Sequence, residues 1–150
     1  MHVENELSKI FRRKVDLGIF SSLSPYIIED VKRKYGLFMR KDKAYLQHIL
    51  EAISDIEEFI ENISKEEFHR DKEKQYAVLR ALEIIEEATK NLSKDLRAKY
   101  PEIPWKDIAG MRDKLIHEYF GVKLELVWET VKDKLPKLKK QISKILDEIT

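Results

Sequence analysis

The residues best suited to chemistry lie in one run of the chain, from Met111 to Phe120. Within this run stand Arg112, His117 and Tyr119, which supply a guanidinium, an imidazole and a phenol. Arginine has the side chain best shaped to bind a phosphate, and histidine is the one that exchanges protons near neutral pH. The combination therefore suggests chemistry on a phosphodiester.

Helical geometry argues against a simple active site on one helix face. Successive residues of an ideal helix are turned by about 100° around its axis. In this projection four apolar residues form a stripe about 80° wide: Ile108, Met111, Leu115 and Tyr119. Arg112 falls within this stripe, where a charge is costly unless it is paired or faces a cleft. His117 lies about 140° from Arg112 on an ideal helix. The reach of the arginine, unwinding near Gly121 or a second copy of the motif across a dimer would bring the two groups together.

The same residues also allow an interpretation without catalysis. Arg112 would then be buried and paired with Glu83, Glu86 or Glu87 of the preceding helix, because a buried charge needs a partner. Tyr119 taken alone would be a core aromatic residue with its hydroxyl group at the rim. Helix geometry by itself leaves the catalytic and the structural interpretations open.

Composition narrows the possible classes of protein. The 150 residues are 38% charged and 43% hydrophobic, include no Cys and give a net charge of +1. Disulfides, thiolate chemistry and a Cys-based zinc site are therefore excluded, and overall charge gives no reason to expect stable nucleic-acid binding. His48 and His69 have no third metal ligand in register, so we expect solvated histidines. Without a signal peptide or an apolar segment of roughly 20 residues, we expect a cytoplasmic protein.

Residues 39–150 show the 3.6-residue apolar period of helices. The second long apolar stripe runs from Val78 to Leu96 and ends before Pro101 and Pro104. The third helix is expected from about Trp105 to Gly121. Pro136 is expected to kink the last helix. Helices with single apolar stripes must pack against one another, so the sequence predicts an all-α fold, an up-and-down bundle of four to five helices.

Residues 1–38 have a different pattern. Residues 11–20 are typical of a short strand that ends in a turn, and a short helix follows with Ser24 as its N-cap and Pro25 in its first turn. A lone strand has no partner within a helical chain. The sequence therefore predicts a short N-terminal strand-plus-helix appendage, residues 1–38, followed by a helical domain, residues 39–150.

The motif and its surroundings resemble the HEPN domain, specifically the HepT-type toxins of toxin–antitoxin systems. The resemblance rests on an Arg, four residues, a His, one residue and a Tyr, and on the flanking segments 77–88, 100–112 and 119–128. It implies a helical bundle that forms a homodimer or a higher homo-oligomer. It also implies an endoribonuclease that cleaves RNA in a cleft between two copies of the motif, without a metal or another cofactor.

The resemblance implies a role for each residue of the motif. His117 would be the general acid/base for attack by the ribose 2′-hydroxyl group, and Arg112 would hold the scissile phosphate. Asp113 would orient a catalytic group, and Tyr119 resembles the tyrosine that a cognate nucleotidyltransferase antitoxin modifies with AMP. Glu86 departs from the family pattern, since many relatives have glycine there; it could cover surface or alter a helix contact.

Residues 13–31 resemble the C-terminal end of a minimal nucleotidyltransferase (MNT), the antitoxin of these systems. Asp16 resembles the last acidic residue of its metal site, but the Gly-Ser motif and the paired aspartates that should precede it are missing. We therefore expect no transferase activity. The sequence predicts a metal-independent toxin ribonuclease neutralised by a nucleotidyltransferase; the alternative is a non-catalytic HEPN module that binds a nucleotide or the antitoxin in a degenerate system.

Overall fold

The computed structural model describes residues 24–117 and 121–150, apart from the side chain of His117. The elements in chain order are α1 (Pro25–Phe59), α2 (Lys65–Arg70), α3 (Lys72–Asn91), α4 (Lys94–Lys99), α5 (Trp105–Ala109), α6 (Met111–Leu115), β1 (Ile116–His117), β2 (Gly121–Val122), α7 (Leu124–Glu129), a π-helical segment (Thr130–Lys134) and α8 (Leu135–Ile149). The predicted all-α bundle is confirmed. Within the described ranges it also contains one hairpin of two strands, each two residues long. None of the described helices is long and apolar enough to cross a membrane.

The core lies between α1 and α3, which make the most extensive helix–helix contact, while α8 packs on α1 and α5 packs on α3. The apolar residues that the helical period predicts are almost completely buried: Leu46, Ile49, Ile53 and Ile56 in α1, Val78, Leu82 and Ile85 in α3, and Ile142 and Ile145 in α8. Each such side chain contributes about 1.5–3 kcal/mol when it leaves water. These residues belong to one continuous apolar cluster.

Helix α1 begins where the sequence predicts but is much longer than the expected short helix. The hydroxyl group of Ser24 accepts a hydrogen bond from the backbone N–H of Ile27, and Pro25 occupies the first turn. The helix then continues past position 38 to Phe59. Gly36 does not end it, because a glycine lowers helix stability by only about 1 kcal/mol relative to alanine. The expected strand at 11–20 lies outside the described residues, and the division of the chain at 38 stays a prediction.

The third helix is shorter than predicted. Gly110 separates α5 from α6, and the chain leaves the helical conformation after Leu115. The carbonyl oxygen of Leu115 accepts a hydrogen bond from the backbone N–H of Lys123 (2.9 Å), so a hairpin bond takes the place of a helical one. The prediction of helix up to Gly121 is therefore wrong at residues 116–117 and 121, which lie in the hairpin strands.

The hairpin that follows α6 is antiparallel. Ile116 lies opposite Val122, and His117 lies opposite Gly121. Gly121 has a φ of 77°, in the left-handed region that glycine adopts without a steric penalty. The chain can therefore reverse here within a few residues.

The last predicted helix is irregular just before Pro136, where a kink was expected. Residues Thr130–Lys134 form a π-helical turn between α7 and α8. Proline has no N–H to donate to the carbonyl group four residues earlier, and a wider turn is one way for a helix to adapt. The hydroxyl group of Thr130 donates to the carbonyl oxygen of Leu126 (2.7 Å), so this buried polar group is satisfied.

A buried carboxylate connects α1 to the start of α4. The two carboxylate oxygens of Asp42 accept hydrogen bonds from the backbone N–H (2.8 Å) and the hydroxyl group (2.6 Å) of Ser93. The same hydroxyl oxygen accepts the backbone N–H of Leu96 and thus caps α4. Asp42 therefore fixes the side chain that starts this helix.

We expect the substitution Asp42→Asn to lower the free energy of unfolding by about 1–3 kcal/mol, because Asn can accept only one of the two hydrogen bonds and leaves a buried donor unpaired. Urea unfolding monitored by circular dichroism measures the change. The control is Asp55→Asn, an exposed position of the same helix, which we expect to stay within about 0.5 kcal/mol of the wild type. Equal stability of the two variants would show that the Asp42–Ser93 contact contributes little.

Candidate functional site

The first residues of the motif lie on α6. Met111 and Leu115 are buried, whereas Arg112, Asp113 and Lys114 are exposed. Positions 111 and 115 share one face of the helix, and Arg112 is turned about 100° from Met111. The prediction that Arg112 is buried is therefore wrong: 61% of its side chain is exposed.

Arg112 is nevertheless paired with a carboxylate of α3, as the structural interpretation predicted. Its Nε lies 3.8 Å from Oε1 of Glu83, whose Oε2 also accepts a hydrogen bond from Arg80 (3.2 Å). An ion pair this exposed contributes only about 0–1 kcal/mol. The guanidinium can therefore leave Glu83 for a phosphate at little cost.

Glu86 holds the beginning of α6 through the backbone. Its carboxylate is 6% exposed, and Oε2 accepts the backbone N–H of Arg112 at 2.7 Å. Gly110, which precedes α6, has no side chain that could cap the helix, so this carboxylate of α3 satisfies one of the unpaired N–H groups there. Glu86 therefore makes a buried helix contact and does not only cover surface; that this contact differs from the one in relatives with glycine stays a prediction.

Lys90 balances the charge of Glu86. Its Nζ lies 2.6 Å from Oε1 of Glu86, and this hydrogen bond is the main reason that the pKa of Lys90 lies above its ordinary value. The negative charge of Asp113 also raises the pKa of Lys90. Asp113 thus lies within electrostatic range of the Glu86–Lys90 pair.

Lys114 links α6 to α5. Its Nζ lies 3.0 Å from Oδ1 of Asp107, and this hydrogen bond lowers the pKa of Asp107 below its ordinary value. Both side chains line a cleft of about 410 Å³ whose apolar wall includes Met111 and Leu115. Lys134 and Lys137 also line this cleft and add positive charge to it.

The remaining two motif residues are described in part or not at all. The backbone of His117 lies in β1, but its side chain and all of Tyr119 lie outside the described part of the chain. Since His117 is not on a helix, the angle of about 140° expected for an ideal helix does not apply. The helix does unwind before Gly121, which was one of the three arrangements considered, whereas the reach of the arginine and a second copy of the motif stay predictions.

The two other candidate histidines within the described ranges are dispersed. His48 is exposed beside Tyr45, and His69 is half-buried beside Phe68. Across residues 24–117 and 121–150, no three His, Cys, Asp or Glu side chains are grouped as metal ligands would be.

Sequence reasoning did not identify the function of Glu86. The available signal was its position beside Ile85 at the edge of the buried face of α3, where a carboxylate needs a partner. The partner is a backbone N–H 26 residues further along the chain. Side-chain patterns do not reveal such a contact.

The family model and the curated relatives that match this chain belong to one family. The chain matches the model of the HepT-like ribonucleases over residues 49–145. A candidate RNase of Methanocaldococcus jannaschii is 53% identical over 110 residues, which cover 73% of this chain and 91% of that protein. A probable ribonuclease HepT of Thermococcus cleftensis is 53% identical over 106 residues, which cover 71% of this chain and 96% of that one.

A bacterial relative shows the same extent of similarity. A candidate RNase of Caldanaerobacter subterraneus subsp. tengcongensis is 48% identical over 110 residues, which cover 73% of this chain and 98% of that protein. No solved structure shows a significant match. Since the family model covers more than half of the chain and the relatives align over nearly their whole length, the chain belongs to the HepT-like ribonuclease family, as the motif predicted.

Proposed function

We propose that this protein is a metal-independent endoribonuclease whose active cleft is formed by the motifs of two copies, and that a nucleotidyltransferase antitoxin neutralises it. The observation that carries the proposal is the exposed and weakly paired guanidinium of Arg112, close in sequence to the histidine of a ribonuclease family. The arginine is available to a phosphate, and His117 is the proton-transfer group next to it in the motif.

In this mechanism Arg112 binds the scissile phosphate and stabilises the negative charge that develops on its oxygens. His117 accepts the proton of the ribose 2′-hydroxyl group, whose oxygen attacks the phosphorus atom. The 5′-oxygen of the next nucleotide leaves and takes up a proton. The products are a 2′,3′-cyclic phosphate and a free 5′-hydroxyl group, and no step needs a metal ion.

The two proton transfers explain the need for two copies. One imidazole cannot act as base and as acid at the same moment, but the histidines of two chains can share these tasks. Two copies of Arg112 would also raise the positive charge around the phosphate. A composite cleft therefore has a chemical reason as well as a family precedent.

The outer face of α3 is a suitable surface for the second copy. Tyr76, Arg80, Glu83 and Ile84 fall on one face of this helix, at positions i, i+4, i+7 and i+8. Tyr76 is 70% exposed and Ile84 is 38% exposed. Since Arg112 contacts Glu83 on this face, a copy that packs here would bring two arginines close to each other.

Glu86 acts as a positioning residue in this proposal. It binds the backbone of Arg112 and not the guanidinium, so it fixes where the side chain starts and leaves it free to bind substrate. The alternative function, a non-catalytic HEPN module that binds a nucleotide or the antitoxin, uses the same surface without cleavage. Modification of Tyr119 with AMP would add bulk and negative charge at the cleft in either case.

His117→Ala is expected to lower the rate of RNA cleavage by about 10²- to 10⁴-fold, the contribution of a general acid/base. Arg112→Ala is expected to lower it by about 10²- to 10³-fold, because a charge-stabilising group is lost. His48→Ala and Arg70→Ala, two exposed positions outside the motif, are the matched controls. The assay uses purified protein in EDTA and identifies the product ends.

Three results of this assay would contradict the proposal. Cleavage that stops in EDTA would exclude the metal-independent route, and cleavage that persists in His117→Ala would remove the histidine from the mechanism. If the wild type does not cleave although intact mass shows unmodified Tyr119, the non-catalytic module is the better description.

Ile84→Glu is expected to break the contact through the α3 face and to abolish cleavage, because it puts a charge into the proposed apolar contact while Arg112 and His117 remain. Analytical ultracentrifugation and the cleavage assay measure both effects on one preparation. Glu61→Gln, on an exposed residue after α1, is the control. Full cleavage by a monomeric Ile84→Glu variant would contradict the composite cleft.

Glu86→Gln is expected to lower stability by about 1–3 kcal/mol, since a buried charge-assisted hydrogen bond at the start of α6 is weakened. We also expect kcat to fall while KM changes little, because Arg112 is displaced without being removed. Glu87→Gln, the exposed neighbour, should change neither quantity. A loss of stability with unchanged kcat would limit Glu86 to a structural role.

A further inference from the structure

The first half of α1, residues 25–41, which we call the arm, exposes an unusual amount of apolar surface. Of the six large apolar side chains that the described residues expose, four lie here: Tyr26 (84%), Ile27 (49%), Leu37 (48%) and Phe38 (50%). The arm precedes residues 49–145, which match the family model. Grouped apolar exposure of this kind marks an interaction surface, and this one belongs to a part of the chain outside the family match.

These four side chains lie on one side of the helix. Tyr26 and Leu37 are 11 residues apart, about three turns, so they project within about 20° of each other. Ile27 and Phe38 have the same spacing, and the set spans about 120°. Val31, which is buried, points about 140° from Tyr26 but only about 20° from Phe38. The exposed apolar side therefore lies next to the buried side of α1, and Tyr26 and Leu37 are the members that point farthest from Val31.

The arm is self-complementary about residue 32. The apolar pair Tyr26–Ile27 lies as far before this position as the pair Leu37–Phe38 lies after it. Between them, Asp30 and Lys34 are also placed symmetrically, and their side chains form an ion pair of 3.2 Å within the helix. A two-fold contact needs this arrangement, because residue i of each copy must fit residue j of the other.

We propose that two copies of this chain pair through their arms, antiparallel, with the two-fold axis near residue 32. Tyr26 and Ile27 of each copy then pack on Leu37 and Phe38 of the other. Asp30 of each copy lies beside Lys34 of the other and exchanges its internal ion pair with Lys34 for an intermolecular one, while Arg33 (2.5 Å) stays its partner within the helix. This contact is separate from the α3 face and does not depend on the proposed function.

The strength of the contact follows from its size. The arm has 17 residues and is about 25 Å long, so it buries less than the roughly 1,200–2,000 Å² of a standard interface. We therefore expect reversible, concentration-dependent association. Where motif dimers also form, the arms would join them into larger assemblies.

Salt separates this proposal from RNA binding by the same arm. The arm contains five Lys and Arg residues but only two acidic ones. Two copies therefore repel one another through their net charge while the two intermolecular Asp30–Lys34 pairs attract, and salt screens both, so the association should depend only weakly on salt. An arm that binds RNA would instead lose affinity steeply with salt, because counterion release drives that binding.

A charge exchange tests the contact in the full-length chain. Asp30→Lys alone, or Lys34→Asp alone, puts two like-charge pairs into the symmetric contact and should weaken association roughly tenfold. An equimolar mixture of the two single variants should restore it, because every contact between position 30 of one chain and position 34 of the other then joins a lysine to an aspartate. The double variant in one chain should also associate like the wild type.

Sedimentation velocity over a concentration series measures the association of four samples: the two single variants, their equimolar mixture and the double variant. Each is measured both in the wild-type background and in the Ile84→Glu background. The second background reports on the arm even if the α3 face forms no contact or the protein cleaves no RNA. A mixture that behaves as the average of its two components would overturn the proposal, as would single variants that associate like the wild type. Loss of helix cannot mimic the expected result, because mixing does not refold a helix.

Disulfide formation tests the direction of the pairing, since the chain has no cysteine of its own. A mixture of Asp30→Cys and Lys34→Cys should give a covalent dimer under mild oxidation, whereas each variant alone should not. In the antiparallel contact, identical positions are offset by about four residues, or about 6 Å along the axis, which exceeds what a disulfide spans once the helix separation is added. Dimers from each single variant would indicate parallel pairing and contradict the proposed geometry.

Discussion

The apolar contact between α1 and α3 is the constraint on which the remaining structure depends. It buries the central residues of both helices almost completely and thereby fixes the axial position and rotation of α3. Helix α3 then presents Glu83 and Glu86 to α6 at set positions. Because α6 has only five residues, it has little stability of its own and takes its place from these carboxylates and from two buried side chains.

The predictable part of the fold is the part that apolar periodicity determines. The stripes of α1, α3 and α8 are buried as expected, because a long amphipathic helix has only one way to remove its apolar side from water. The helix start at Ser24 was also predictable, since hydroxyl capping is a local interaction. Its continuation past position 38 was not, because a difference in residue pattern does not by itself end a helix.

The site was less predictable, because its geometry depends on contacts between distant residues. The bond between the Glu86 carboxylate and a backbone N–H spans 26 positions and has no signature in the pattern of side chains. The end of α6 at Leu115 depends on a hairpin bond from Lys123, which competes with the helical bond that the local sequence also allows. The motif spacing identified the family. The angle between Arg112 and His117 was not predictable from an ideal helix, because the two residues do not lie on the same helix.

The bond from Glu86 to the backbone of residue 112 also bears on how this protein can lose activity over evolutionary time. Any amino acid except proline can supply the N–H group that Glu86 accepts, and the exposed arginine side chain contributes little to stability. A single codon change at this position can therefore remove the guanidinium and leave the bundle folded. Such an inactive copy would still carry both proposed contact surfaces, the α3 face and the arm, so pairing through them would make it an inhibitor encoded by the same gene.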